Sequence, residues 1–130
     1  MYLNKPKIFD AFCWHYDEAE SLPENSVVLS SNSKSKIQSV VFERYQSQVW
    51  AVQYHPEFSP LWVAGLVKMR KKILLEKNIY NNEKSYNLMY KYLSDLENNT
   101  LLQTDLKIES SLVDDSIRFI EIENWINNLL

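Results

Sequence analysis

The chain has 130 residues, of which 45% are hydrophobic and 13% aromatic, so it can form a globular core and is not a disordered segment. Its net charge of −3 is too small to indicate nucleic acid or an anionic membrane as a partner. The single Cys excludes an internal disulfide, and there is neither an apolar run of membrane-spanning length nor a signal-peptide core. We therefore expect a cytoplasmic protein.

Glycine is almost missing from the sequence. Only Gly65 is present, whereas average usage is about 7%. Loops that cradle phosphates and sharp turns that present a nucleophile both need glycines, because the backbone must approach the ligand closely or adopt a strained conformation. We therefore expect no nucleotide cofactor, and none of another kind is indicated.

The first half of the chain is rich in predicted strands. Short runs of apolar and β-branched residues predict strands at 8–14, 27–29, 37–45 and 49–54. A helical turn is expected at 18–20, before Pro23, and a tight turn at 46–48. This turn would make the last two strands an antiparallel pair.

The second half shows helical periodicity from Pro60 onward. Helices are expected from Pro60 to about residue 77, at 83–97, at 101–108, and from an N-capping Ser116 to about Leu129. Apolar stripes at helical spacing predict three buried faces: Trp62, Leu66, Met69 and Ile73; Tyr86, Met89, Leu93 and Leu96; Phe119, Ile122, Ile126 and Leu129. We expect one α/β domain over 1–130, with a strand-rich catalytic part at 8–60 and a helical extension at 61–130.

The predicted strand 49–54 ends in His55-Pro56-Glu57, at the strand end where open α/β sheets bind ligands. Three interpretations stay open on the residues alone. His55 could be a general base oriented by Glu57, activating a Ser or Cys of another segment. His55 and Glu57 could instead bind a metal together with His15 and Asp17, although these spacings are weak for metal sites. All of them could also be ordinary polar residues at strand ends.

Val52-Gln53-Tyr54-His55-Pro56-Glu57 resembles the final catalytic motif of class I glutamine amidotransferases. Further segments of that family precede it in the usual order: 12–17, Leu22-Pro23, 27–32 and 37–39. The tail at 118–125, Arg-Phe-Ile-Glu-Ile-Glu-Asn-Trp, is similar to the GMP-synthase-like branch of the family. With these segments, the resemblance extends over nearly the whole chain.

The resemblance implies the carboxyl-terminal part of a flavodoxin-like sheet, and hydrolysis of glutamine to glutamate with delivery of ammonia to an acceptor. A Cys thiolate would attack the side-chain amide of glutamine, His55 would act as the general base, and Glu57 would orient His55. Trp14 and His15 would line the glutamine pocket, or their segment would instead hold the shape of the loop through Asp17. The resemblance implies no metal.

The sequence departs from the family at the nucleophile, because it has no Gly-x-Cys-x-Gly turn. Cys13 lies in the wrong segment and has no flanking glycines, so it does not replace the missing residue. The chain looks like the carboxyl-terminal half of an amidotransferase. We expect it to be inactive alone and to work with a separately made amino-terminal half that carries the Cys. The alternative is a remnant without catalytic activity.

Overall fold

The computed structural model describes residues 1–129 and divides into two compact units. The first unit contains Met1–Lys5, Ala11–Pro56 and the chain from Phe119 onward, and the second contains Pro6–Asp10 and Glu57–Arg118. The described residues have the strands and helices of an α/β protein, with a three-stranded antiparallel sheet. None of their helices has the length and apolar character needed to cross a membrane.

The first unit is built on the sheet, in the order β1 (Val27–Ser30), β2 (Ser39–Arg44) and β3 (Ser47–Val52). β2 pairs antiparallel with both neighbours, and its register with β3 runs from Ser39 opposite Val52 to Arg44 opposite Ser47. Three of the four predicted strands are therefore confirmed, as is the antiparallel pairing of the last two.

The turn between β2 and β3 lies one residue earlier than predicted. It consists of Tyr45 and Gln46, and Ser47 and Gln48 already belong to β3. Tyr45 has a φ of 51° and Gln46 a φ of 64°. Two-residue hairpin loops favour positive φ at both positions because this matches the twist of the strands. Neither residue is a glycine, so the polar residues at 46–48 predicted a turn but not its exact position.

Two predictions for the amino-terminal region are wrong. In place of a strand at 8–14 there is an isolated antiparallel bridge between Phe12 and His55. The amide of Asp10, which belongs to the second unit, donates to Ser111 Oγ at 2.8 Å and is not available for a ladder. Residues 18–20 form no helical turn. The carbonyl of Asp17, which would begin such a turn, accepts side-chain hydrogen bonds instead.

The second unit is helical. Its helices are α1 (Pro60–Met69), α2 (Lys71–Glu76), α3 (Glu83–Asp95), α4 (Thr100–Leu106) and α5 (Asp115–Arg118). α1 begins after Ser59, whose side chain accepts from the amide of Trp62 at 3.1 Å. α3 begins with a capping box between Asn82 and Ser85, which satisfies free backbone amides of its first turn.

The buried face of α1 differs from the predicted stripe. Trp62 is 50% exposed and Met69 82% exposed. The buried residues are smaller and follow the i, i+3, i+4, i+7 pattern: Pro60, Val63, Ala64 and Val67. The prediction weighted residue size, whereas the smaller side chains allow closer packing. In α3 the prediction is largely correct, because Tyr86 and Leu93 are buried and Leu96 follows them, although Met89 is 39% exposed.

The predicted final helix is two helices. α5 ends at Arg118 in the second unit, and α6 (Ile120–Asn127) belongs to the first. Ser116 is not the N-cap as predicted; its amide and hydroxyl both donate to Asp114 Oδ1, at 2.9 and 2.6 Å. The predicted apolar face is also wrong, because Ile126 and Leu129 are 48% and 64% exposed while Glu121 is only 4% exposed.

Candidate functional site

His55 lies just beyond the end of β3 and is half-buried. Its amide donates to the carbonyl of Phe12 at 2.8 Å, and two residues earlier the amide of Gln53 donates to the carbonyl of Gln38 at 2.8 Å. The segment that carries the imidazole is therefore held from two sides by backbone hydrogen bonds. A side chain that must act as a general base needs such a fixed backbone, because proton transfer depends on hydrogen-bond distances.

Tyr54, the residue before His55, is 4% exposed and lies in a buried polar network. Its hydroxyl donates to Glu121 Oε1 at 2.6 Å and lies 2.8 Å from the hydroxyl of Tyr2. Tyr2 in turn donates to Ser39 Oγ at 2.7 Å. Burial, followed by the bonds to Glu121 and Tyr2, raises the pKa of Tyr54 far above its usual value. The phenol therefore stays neutral and acts as a donor in this network.

Glu121 also forms an ion pair with a buried lysine. Lys5 Nζ lies 2.6 Å from Glu121 Oε2, and the two side chains are 2% and 4% exposed. α6, which carries Glu121, is also attached to the amino terminus by Asn124, whose side-chain amide donates to the carbonyls of Met1 and Leu3 at 2.8 and 2.9 Å. Sequence reasoning gave no role to Lys5, Tyr2 or Glu121. Among the available signals was the presence of Glu121 in the tail pattern.

Glu57 is exposed and precedes the cap of α1. The boundary between the two units falls between Pro56 and Glu57, so His55 belongs to the first unit and Glu57 to the second. The predicted role of Glu57 as the carboxylate that orients His55 stays a prediction, and so does the role of His55 as the base.

The Trp14-His15 segment lies in the same unit as His55. Trp14 is half-buried and His15 is exposed. His15 Nδ1 lies 2.8 Å from the carbonyl of Asp17, and the side-chain amide of Gln53 donates to the same carbonyl at 2.6 Å. The carbonyl of Asp17 thus connects the loop that contains His15 with the segment that precedes His55. The predicted contact of Trp14 and His15 with glutamine is not tested by these bonds.

An open cleft of about 400 Å³ lies beside this loop in the first unit. Its wall includes His15, while Trp14 and His55 are not among the residues that line it. The charged side chains that line it are the acidic Asp17 and Glu18 and the basic Lys34.

Cys13 lies in the same cleft, with its Sγ 3.7 Å from Gln38 Oε1. Although the residue as a whole is exposed, partial desolvation raises the pKa of its thiol. Nucleophilic cysteines have the opposite property, since the thiolate is the reactive form and a lowered pKa favours it. The environment of Cys13 is therefore that of an unreactive thiol.

The sequence left metal binding open as an alternative. Within residues 1–129, no group of three or more His, Cys, Asp or Glu side chains is placed to hold a metal ion.

Two comparisons with known proteins gave a match. A sequence model of the family described as glutamine amidotransferase class-I matches residues 1–61. The chain is also 29% identical over 133 aligned positions to a gamma-glutamyl-L-1-hydroxyisopropylamide hydrolase of a Pseudomonas species. The alignment covers 100% of this chain and 45% of the relative, so the chain spans less than half of that protein's length. No solved structure matches significantly.

Proposed function

We propose that this chain is part of a class I glutamine amidotransferase and supplies the general base of its glutaminase site. The single observation that carries the proposal is the position of the Val-Gln-Tyr-His-Pro-Glu segment. It begins at the last residue of β3 and lies within the residues that match the family model, and the amide of His55 bonds to Phe12. Such a placement suits a base that must meet a nucleophile at a set distance.

In the proposed reaction, His55 takes the proton of a Cys thiol, and the thiolate attacks the γ-carbonyl carbon of glutamine. The C–N bond then breaks, and the departing amine takes the proton from the imidazolium and leaves as ammonia. Water, deprotonated by His55, attacks the resulting thioester, which releases glutamate and restores the thiol. Glu57 would hold the imidazole in the correct tautomer, as the third member of a triad does.

The substrate of this site is a γ-glutamyl amide. The name of the Pseudomonas relative describes hydrolysis of a γ-glutamyl bond to an amine larger than ammonia. Glutamine contains the same bond, with ammonia as the leaving group. Trp14 and His15 would contact the glutamyl part. The GMP-synthase-like tail gives the branch to which we assign the chain and does not identify an acceptor for the ammonia.

The nucleophile must come from residues outside this chain. Cys13 is the only Cys of the 130 residues, and its raised pKa does not suit nucleophilic attack. We propose a separately encoded amino-terminal half that carries the Gly-x-Cys-x-Gly turn, with assembly in the cytoplasm. The chain alone then hydrolyses no glutamine.

The proposal is tested by reading the coding sequence upstream of this chain and expressing what it encodes. If it contains a strand, a Gly-x-Cys-x-Gly turn and a helix, the two polypeptides are mixed and glutamate release from glutamine is measured. We expect activity in the mixture and none in either part. The matched control replaces the Cys of the added half by Ser, which must abolish the activity. A folded, associated mixture without glutamate release contradicts the proposal.

A second candidate function is a remnant that binds a partner without catalysis. The raised pKa of Cys13 favours this candidate, because the chain then has no activated thiol of its own. The upstream sequence separates the two candidates, because a remnant has no complementary Cys-bearing half nearby.

A further inference from the structure

The first unit buries an ion pair, and burial makes such a pair costly. Lys5 and Glu121 have side chains only 2% and 4% exposed, with a distance of 2.6 Å between Nζ and Oε2. Taking two charges out of water is energetically costly, and apolar side chains of similar volume are often at least as stabilising. The pair is therefore poorly explained as a contribution to stability alone.

The pair does provide a fixed acceptor for Tyr54. One carboxylate oxygen of Glu121 receives the ammonium of Lys5, and the other receives the hydroxyl of Tyr54 at 2.6 Å. Lys5 thereby restrains the carboxylate plane, and with it the direction in which Tyr54 must donate. Hydrogen bonds to charged groups are also stronger than those between neutral groups, which favours a single position of the phenol.

Tyr54 is directly followed by His55, so its anchoring fixes the segment that carries the imidazole. Backbone bonds hold the flanking residues as well, from Gln53 to Gln38 and from His55 to Phe12. The bond to Glu121 adds a side-chain anchor between these two points and comes from a different element, α6. All the residues that make these contacts belong to the first unit.

We propose that Glu121 is a positioning residue for His55 and acts on it through Tyr54. α6 is then part of the support of the site. That His55 needs a precise position at all rests on the function proposed above, but the coupling itself can be measured without any reaction.

The test compares variants by amide hydrogen exchange and by the NMR resonances of the two imidazoles. Tyr54→Phe removes the hydroxyl and leaves the ion pair intact. Its matched control is Tyr86→Phe in α3, because Tyr86 is likewise 4% exposed but lies outside the network. A third variant, Lys5→Met with Glu121→Met, removes the acceptor without leaving a buried unpaired charge. The triple variant combines it with Tyr54→Phe.

We expect Tyr54→Phe to accelerate exchange of the His55 amide roughly tenfold, the size expected when one charge-assisted hydrogen bond is lost. The ring resonances of His55 should shift while those of His15 stay in place. Amides of β2 should keep their protection, and Tyr86→Phe should leave His55 unchanged. The Lys5→Met, Glu121→Met variant should have the same effect as Tyr54→Phe, and the triple variant no larger one, because both act through one contact.

Three results overturn the proposal: an unchanged His55 in Tyr54→Phe, a loss of protection shared equally by β2, or additive effects in the triple variant. The second result would show a general loss of stability and the third an independent role of Glu121. Neither readout involves glutamine. An inactive mixture in the glutaminase assay therefore contradicts the proposed function alone, and an unchanged His55 contradicts the positioning role alone.

Discussion

The hydroxyl of Tyr54 donates a 2.6 Å hydrogen bond to the carboxylate of Glu121, a residue 67 positions later in the chain. This contact joins the residue before His55 to α6, near the carboxyl end of the chain. It therefore connects a residue of the tail pattern with the residue next to the His-Pro-Glu motif. The tail supplies a carboxylate that the strand-rich part needs for its own buried phenol.

Breaking the buried ion pair on one side should strongly destabilise the first unit. We expect Glu121→Leu to lower the free energy of unfolding by about 3–5 kcal/mol, because it leaves the ammonium of Lys5 buried without its carboxylate. Urea unfolding, followed by circular dichroism, measures the change. The control is Glu76→Leu, which removes the exposed partner of Lys72 and should cost at most about 1 kcal/mol. Equal costs at the two positions would contradict the buried pair.

The hairpin loop between β2 and β3 should be improved by residues that tolerate positive φ. Tyr45→Asn combined with Gln46→Gly should stabilise the chain by about 0.5–1 kcal/mol, because both positions have positive φ. Thermal unfolding measures the change. Gln48→Gly, which lies in β3, should instead destabilise, since glycine weakens a strand. If both glycines have the same effect, the loop is not at Tyr45 and Gln46.

The side of α3 that is buried can be checked with two truncations in the same helix. Leu93 is 7% exposed, so Leu93→Ala should cost about 2–5 kcal/mol through lost burial and the cavity that remains. Met89 is 39% exposed, and Met89→Ala should cost clearly less. Chemical denaturation of both variants gives the comparison. A larger cost at Met89 would mean that the helix faces the other way.

These positions show what the sequence could and could not predict. β2 and β3 were predictable because β-branched residues on either side of a short polar break are a strong local signal. The strand at 8–14 was not, because whether an apolar run joins a ladder depends on distant partners such as Ser111 and His55. The buried role of Glu121 was hidden for the same reason, since its partners Lys5 and Tyr54 are remote in sequence.

The position of His55 in the fold was predictable from a motif, whereas the contacts around it were not. His55 and Glu57 were selected from a contiguous pattern, and His55 lies three residues beyond the end of β3, in an isolated bridge with Phe12. The surroundings of Tyr54 required the fold. The buried face of α1 shows a further limit, because residue size favoured Trp62 and Met69 whereas packing buries Val63 and Val67.

The thiol of Cys13 should ionise at a higher pH in the folded chain than in the unfolded chain. Desolvation raises its pKa in the folded state, so the fold favours the neutral thiol. The contribution of this thiol to the free energy of unfolding is therefore fully present below the pKa of the unfolded chain, about 8.5. It is lost as the pH rises through the pKa of the folded chain. The rate of alkylation by iodoacetamide against pH gives both midpoints, in buffer and in urea. A folded midpoint at or below the unfolded one would indicate an activated thiol.

The central claim is that His55 is the general base of a glutaminase site. It is tested most directly by replacing His55 in the mixture with the Cys-bearing half. We expect His55→Ala to lower kcat for glutamate release by about 10²–10⁴-fold with little change in KM, because proton transfer is lost while binding remains. His15→Ala, in the same mixture, should act mainly on KM. Full turnover by His55→Ala in a folded, associated mixture would contradict the claim.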